Sequence, residues 1–294
     1  MDWSDVALEA NYRVMLQLRT MPEILLNWGD TASAIDEWLV ARLKQRVAEF
    51  NTAMANYDLR RAVEISHYEL IKDINWYTRR GGDNSTLGRT VLESWTYLIS
   101  VSTPHLAEEW GRCLGLEHMV SASEMKDVGS VSNQEKNILD YEYIMRVVLE
   151  NSRKVKSIAE KHLQSKAEKL TLIISPEWKN TLSREAITYL NNGGNVKQFI
   201  QELKQMDFVN ETNMGQVLSY WNKKMLSQVF KWDDKSKALI LDKINEAKIL
   251  SDRASFIAQE LGLNEVQIVG ADQYQGTDGR ENSALPLSPS IIFA

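Results

Sequence analysis

The sequence DINWYTRRGG, residues 73–82, closes an amphipathic helix and sets the helical character of the first half of the chain. Apolar residues from Leu59 to Tyr77 recur every three or four positions, which is the period of one helix face. The two final glycines end the helix, because glycine readily takes the left-handed conformation common at helix C-termini. We therefore predict a helix that begins after Asp58, its N-cap, and ends at the Gly-Gly pair.

Working outward, the same period predicts a mainly α first domain, residues 1–167. Trp95, Leu98 and Ile99 lie on one apolar stripe and are predicted core residues, whereas the two arginines before the Gly-Gly pair are predicted to be exposed. The other predicted segments are helices at 32–57, 85–103, 105–114 and 134–166, and an exposed loop at 118–133.

From residue 168 the pattern changes to that of a small α/β domain, residues 168–294. Leu170–Ile174 is short, rich in β-formers and stopped by Ser175 and Pro176, so we predict a buried strand. The apolar end of the chain, 291–293, is predicted to dock as a strand beside 170–174 or 265–269. The remaining predicted elements are helices at 180–192, 196–206, 214–229 and 235–262, a strand at 265–269 and a polar loop at 270–283.

Composition sets limits on the class of protein. The 294 residues, 44% of them hydrophobic, are enough for two cores, and no run approaches the roughly 18 apolar residues of a membrane span. With no basic and apolar leader at the start, we expect a soluble, cytoplasmic protein. The net charge is -6, but residues 1–150 carry -8 and residues 151–294 carry +2. A polyanion should therefore contact the second half, or a local basic patch in the first.

No catalytic, metal or cofactor motif is visible in the sequence. The four histidines are scattered, and the lone Cys113, expected to be a buried apolar residue, excludes a cysteine-rich zinc site. The Gly-Gly pairs end helices and do not follow a strand, so they are not phosphate-binding loops. We expect no cofactor in this chain.

The helix that ends at 82 carries a candidate nucleic-acid site. Guanidinium groups suit bidentate contacts with phosphate, and an aromatic ring beside them can stack or fix the arginine. Basic residues in a last helical turn also complement the helix dipole, and the sequence leaves that alternative open. The candidate residues are Arg60, Arg61, Lys72, Trp76, Arg79 and Arg80.

Two motifs together resemble a known family. The WY-x-RR turn, followed by PHLAEEW and a Leu-Gly turn at 104–115, resembles the anticodon-binding helical bundle of class I aminoacyl-tRNA synthetases. The opening DWS at 2–4, the strand leading to Trp178-Lys179, and ALPLSPSII at 284–292 resemble the leucyl enzymes of archaea and eukaryotes. An isoleucyl or valyl enzyme is disfavoured by this ending.

The resemblance implies a tRNA-binding, C-terminal part of leucine-tRNA ligase that is inactive alone. The family makes its adenylate in a Rossmann core with His-x-Gly-His and Lys-Met-Ser-Lys-Ser signatures, neither of which occurs here, so ATP and Mg²⁺ would belong to the full enzyme. The implied partners are that catalytic core and tRNA(Leu), especially its long variable arm. The alternative is a freestanding helical interaction module that no longer serves aminoacylation. The resemblance adds four candidate tRNA contacts, Lys179, Ile291, Ile292 and Phe293.

Overall fold

The computed structural model describes residues 4–163, 165–206, 208–209, 214–277 and 279–294. The chain forms two compact units, Met1–Leu139 and Asp140–Ala294, which we describe separately. The two units meet between residues 139 and 140, whereas the sequence predicts a domain boundary between 167 and 168, and that boundary stays a prediction. Of the opening DWS motif, Asp2 and Trp3 lie outside the described residues. Over the ranges given above, no helix is long and apolar enough to cross a membrane.

The first unit is a helical bundle, as predicted. The helix closed by the Gly-Gly pair runs without interruption from residue 59 to 79, with one π-helical turn inside it at Ile65–Glu69. The helices are α1 (Asp5–Leu26), α2 (Ala34–Ala55), α3 (Leu59–Glu64), α4 (Leu70–Arg79), α5 (Ser85–Ser100), α6 (Pro104–Leu114) and α7 (Asn133–Leu163), the last of which continues into the second unit.

Local signals explain where these helices begin and end. The carboxylate of Asp58 accepts a hydrogen bond from the backbone N–H of Arg61 at 3.0 Å, so Asp58 is the predicted N-cap. Asn84 caps α5 in the same way, and Gly115 ends α6 in the left-handed conformation. The sequence did not predict the short antiparallel pair of β1 (Asp30–Thr31) and β2 (Asp83–Asn84).

The bundle core forms around tryptophans. Trp95, Leu98 and Ile99 are buried, which confirms the prediction for α5. The Trp95 ring meets Trp110 edge to face, with ring centroids 5.3 Å apart. Its indole N–H donates to the carbonyl oxygen of Ser66 at 2.6 Å, inside the π-helical turn. The buried indole donor is thus satisfied by the helix against which it packs.

The second unit contains a three-stranded sheet in the order β4-β3-β5. The strands are β3 (Lys169–Ile174), β4 (Glu265–Gly270) and β5 (Ser290–Phe293). β3 and β4 are parallel, with Ile174 opposite Gly270, so both end at the same edge. β5 pairs antiparallel with β3, which confirms that the end of the chain docks as a strand and shows that, of the two predicted neighbours, it pairs with 170–174.

A series of helices connects β3 to β4. The predicted single helix at 235–262 was wrong, because Lys243 takes a left-handed φ of 53° and Asn245 caps a new helix by accepting from the N–H of Lys248. The segment instead forms α12 (Asp234–Leu241), α13 (Glu246–Ser251) and α14 (Ala254–Leu261). Before them come α8 (Glu177–Asn191), α9 (Val196–Leu203), α10 (Met214–Tyr220), a π-helical turn (Trp221–Met225) and α11 (Leu226–Val229).

Candidate nucleic-acid interface

Two arginines are held at the C-terminal end of α4. The side chain of Arg79 is exposed and its guanidinium carbon lies 5.4 Å from the centroid of the buried Trp76 ring. Arg80, which caps the helix, is half-buried, so of the two arginines that were predicted to be exposed only Arg79 is. Trp76 lies inside the bundle and supports an arginine, which leaves its indole face unavailable for stacking on a base.

The turn after these arginines requires glycine twice. Gly81 has a φ of 82°, and a Cβ on Gly82 would lie 2.3 Å from the ring of Tyr77. The Tyr77 hydroxyl donates to the Asp36 carboxylate at 2.7 Å. Burial raises the pKa of Asp36, but hydrogen bonds from Asn84, Tyr77 and Ser33 outweigh it and lower that pKa overall. The turn is thereby tied to the start of α2, which fixes the position of the two arginines.

Arg61 belongs to an ion network within the bundle. Its guanidinium lies 2.6 Å from Glu69 and 3.2 Å from Glu49, and also pairs with Glu64. The hydrogen bond to Glu69 is the main reason that the pKa of Arg61 is raised. With three carboxylates nearby, the charge of Arg61 is compensated and attracts phosphate weakly.

The buried part of this network centres on Arg46. Its Nε donates to Asp73 at 2.7 Å, and its Nη1 pairs with Glu49 at 3.0 Å and with Glu69. Burial lowers the pKa of Arg46, but the charge of Asp73 and its hydrogen bond raise it overall. Arg42 also donates to Asp73, at 3.2 Å. The network joins α2 to the helix that carries the candidate site.

The structure brings Arg60 and Lys72 to one groove on the helix surface. Val63 and Tyr68 supply apolar lining between these basic side chains. Lys72 is exposed, and the Arg60 side chain is 90% exposed although its Nε lies 3.1 Å from Glu64. Exposed ion pairs of this kind are weak, so Arg60 remains able to exchange Glu64 for a phosphate. The groove itself could not be read from the spacing of the charges alone.

Lys179 does not lie on a surface. Only 3% of the residue is exposed, and its ammonium donates to the carbonyl oxygens of Asn282 at 3.1 Å and Ala284 at 2.9 Å. Burial, with a contribution from the charge of Lys224, lowers the pKa of Lys179 to about 8. In place of the predicted tRNA contact, Lys179 therefore has a structural role, which is to hold the segment that leads into β5.

The end of the chain forms a second candidate surface. Ile291 and Ile292 are half-buried, and Phe293 is buried. The three residues line a cavity of about 410 Å³ together with Val155, Ile158, His162 and Arg280. Sequence reasoning missed His162 and Arg280 because more than a hundred positions separate them, and only packing brings them beside β5. Part of the basic run in α7 is used internally, since Arg153 pairs with Glu260 and Lys156 donates to the carbonyl of Leu261.

The structure corrects one further expectation. Cys113 is exposed, not buried, because it lies on the outer side of α6. Within the described ranges, no group of three or more His, Cys, Asp or Glu side chains is placed to hold a metal ion. The arrangement thus offers arginine and lysine side chains, the cavity beside β5 with Arg280 and His162 in its lining, and extended backbone.

Comparison with known proteins gives one family match. The model of the anticodon-binding domain of tRNA ligases matches residues 36–172. Among curated proteins, the leucine–tRNA ligase of Methanocaldococcus jannaschii is 28% identical over 266 residues, which is 90% of this chain and 26% of the relative. That of Methanococcus vannielii is 30% identical over 89% of the chain, and that of Methanothrix thermoacetophila 24% over 99%. The chain spans between a quarter and a third of the length of these relatives.

Proposed function

We propose that this chain binds tRNA as part of a leucine–tRNA ligase, because residues 36–172 match the model of the anticodon-binding domain of tRNA ligases and the chain is similar to archaeal leucine–tRNA ligases. One observation carries the proposal, namely the exposed Arg79 held over the buried Trp76 at a turn that two glycines and Tyr77 fix. An arginine that is already ordered loses less side-chain entropy when it binds a phosphate. The turn is therefore prepared for a backbone contact before RNA arrives.

The groove on the same helix extends this basic surface. Arg60 lies at the N-terminal end of the helix, Lys72 lies past its middle, and Arg79 and Arg80 lie at its C-terminal end. Several phosphate contacts along one helix would follow an RNA backbone without reading its sequence. Arg61 contributes less, because its charge is shared with Glu49, Glu64 and Glu69.

The arginines at the end of α4 could instead be present because they interact favourably with the helix dipole. A matched pair of variants distinguishes this explanation from tRNA binding. We expect Arg79→Ala with Arg80→Ala to weaken tRNA binding about tenfold, which is about 1.4 kcal/mol, and to reduce the salt slope of binding by about two. Arg112→Ala is the control, because Arg112 is an exposed arginine in the last turn of α6. The measurements are filter-binding titrations at several salt concentrations and thermal melts.

The dipole explanation requires the opposite pattern. Both variants would then lower the melting temperature by similar small amounts, and the double variant would bind tRNA as the unaltered chain does. That result would remove the observation on which the proposal depends.

We further propose that the cavity beside β5 contacts the long variable arm of tRNA(Leu). The half-buried Ile291 and Ile292 offer apolar surface to an unstacked base, and Arg280 and His162 on the rim offer groups that suit phosphate. Lys179 supports this site indirectly by anchoring the backbone at Asn282 and Ala284.

Selectivity tests the variable-arm proposal. Replacing Ile292 by Ser removes apolar surface from the cavity and keeps the backbone pairing of β5 with β3. We expect it to reduce the preference for tRNA(Leu) over a tRNA(Leu) shortened in its variable arm, by about fivefold, since each buried methylene group that is lost costs about 0.8 kcal/mol. Thr171→Ser, on the neighbouring strand, is the control. An unchanged preference in a folded variant would show that β5 only completes the sheet.

The catalytic core of the ligase is the second proposed partner. The first half of α1 exposes apolar side chains spaced four apart, with Leu8 58% and Tyr12 61% exposed, and with Leu16 following. A contiguous apolar helix face of this kind is typical of an interaction surface. We propose that this helix face packs on the remaining part of the ligase. We also propose that ATP and Mg²⁺ bind to that part and not to this chain, so that this chain alone is catalytically inactive. The proposed location of the protein is the cytoplasm.

A further inference from the structure

The second unit contains a cavity at the carboxyl end of its parallel strands. β3 and β4 end side by side at Ile174 and Gly270, and α8, α12 and α13 close the space beyond them. The cavity measures about 390 Å³, within the range of roughly 300 to 1,000 Å³ that is usual for small-ligand sites. In open α/β sheets, ligands bind outside the carboxyl ends of the strands. The cavity therefore lies where this type of sheet accommodates a ligand.

Two polar atoms at this cavity lack a protein partner. Ser175 Oγ and Glu246 Oε1 are buried and accept or donate no hydrogen bond among the described residues. The other carboxyl oxygen of Glu246 accepts from the backbone N–H of Leu287 at 3.2 Å, which fixes the orientation of the group. A buried polar atom without a partner costs about 1 to 3 kcal/mol. Two such atoms at one cavity indicate a polar ligand that forms the missing hydrogen bonds with them.

The protonation of Glu246 limits the chemistry of that ligand. Burial raises the pKa of Glu246 to about 8, against the opposing hydrogen bond from Leu287. At neutral pH the carboxyl group is therefore mainly neutral, with Oε2 accepting and Oε1 available to donate. The hydroxyl of Ser175 can donate or accept. A neutral edge with a donor and a hydroxyl fits the hydrogen-bonding edge of a heterocyclic base.

The rest of the lining fits the same ligand. Leu239, Ile240 and Pro286 supply apolar surface for a flat ring, while Glu177, Arg184 and Asp272 add polar lining that can bond to a ribose or a phosphate. Lys243 is exposed at the rim and offers an ammonium to a phosphate. We propose that this cavity binds one unpaired nucleotide of the RNA, with its base against Ser175 and Glu246 and its phosphate at Lys243. The identity of the RNA rests on the proposed function, whereas the nucleotide chemistry rests on the cavity alone.

Mononucleotides test the cavity without tRNA. The full chain is titrated with AMP, GMP, CMP and UMP while the methyl NMR signals of Leu239 and Ile240 are followed. We expect at least one nucleotide to shift these signals in a saturable manner. Ser175→Val removes the hydroxyl, and Ala247→Leu fills the cavity, so each should weaken that binding at least fivefold. Ala258→Leu, on α14 outside the cavity, is the matched control and should bind as the unaltered chain does.

The outcomes separate this inference from the proposed function. If no nucleotide shifts the signals, or if folded Ala247→Leu binds as tightly as the unaltered chain, the cavity holds only water and the inference is overturned. If tRNA binds and Ala247→Leu leaves its affinity unchanged, the inference also fails, but the proposed function stands. If mononucleotides bind at the cavity and tRNA does not bind the chain, the nucleotide site is supported and the proposed function fails.

Discussion

At the scale of single residues, burial decides which charges stabilise the bundle and which can serve a partner. Asp73 and Arg46 are buried and paired at 2.7 Å, whereas Arg60 pairs with Glu64 at the surface. A buried charge that loses its partner retains its desolvation cost, and an exposed one is hydrated by water. The same residue types on neighbouring helices therefore have different roles.

This difference predicts unequal effects of two substitutions. Asp73→Ala should lower the free energy of unfolding by about 3 kcal/mol, because Arg46 and Arg42 lose the carboxylate that they share. Arg60→Ala should change it by less than about 0.5 kcal/mol. Urea unfolding followed by tryptophan fluorescence measures both. Equal effects would mean that the Arg46 network does not stabilise the bundle.

At the scale of elements, the contact between α1 and α5 depends on a glycine. Gly88 is buried on α5, and a Cβ there would lie 2.3 Å from the carbonyl oxygen of Leu25 and 2.8 Å from the Trp28 ring. Backbone cannot move aside as a flexible side chain can. The absence of a side chain at Gly88 thus allows the two helices to approach closely.

A methyl group at this position should separate the helices. Gly88→Ala raises helix propensity, yet we expect a net loss of about 2 kcal/mol of unfolding free energy, because overpacking outweighs propensity. Thr90→Ala, exposed on the same helix, should have an effect below about 0.5 kcal/mol. Thermal and chemical unfolding provide the comparison. Stabilisation by Gly88→Ala would contradict the close packing of α1 and α5.

At the scale of the whole molecule, a net charge of -6 coexists with local basic surfaces. The carboxylates Glu49, Glu64 and Glu69 pair with Arg46 or Arg61 inside the ion network, so part of the acidic charge is compensated locally. A binding surface for a polyanion depends on such local distribution. The chain spans about a quarter of the length of its first relatives, and we propose that the catalytic chemistry of a ligase lies in the rest of such a protein.

The chain alone should therefore make no aminoacyl-adenylate. We expect leucine-dependent pyrophosphate exchange at the background rate, with and without tRNA, because the sequence carries no phosphate-binding loop or signature lysine motif. A full-length archaeal leucine–tRNA ligase assayed in parallel is the positive control. Exchange at a rate typical of synthetases would refute the proposed division of labour.

The sequence by itself determined the helical bundle, the start and end of its main helices and the change to an α/β unit. Apolar periodicity, N-caps such as Asp58 and the Gly81-Gly82 stop are local signals, and local structure follows them. It also placed β5 in the sheet, because the apolar residues 291–293 must leave water. The expected single helix at 235–262 was wrong, since Lys243 takes a left-handed conformation that ends the helix, at a cost of about 1 to 2 kcal/mol that packing must offset.

Only the tertiary structure decided which charged residues are available. Lys179 and Lys72 are both lysines on amphipathic helices, yet Lys179 is buried against two carbonyl oxygens and Lys72 lies at a groove. The cavity beside Ser175 and Glu246 joins residues 71 positions apart, and no spacing along the chain marks them. Burial and long-range hydrogen bonding depend on how elements pack, and packing is a property of the folded chain that local sequence does not encode.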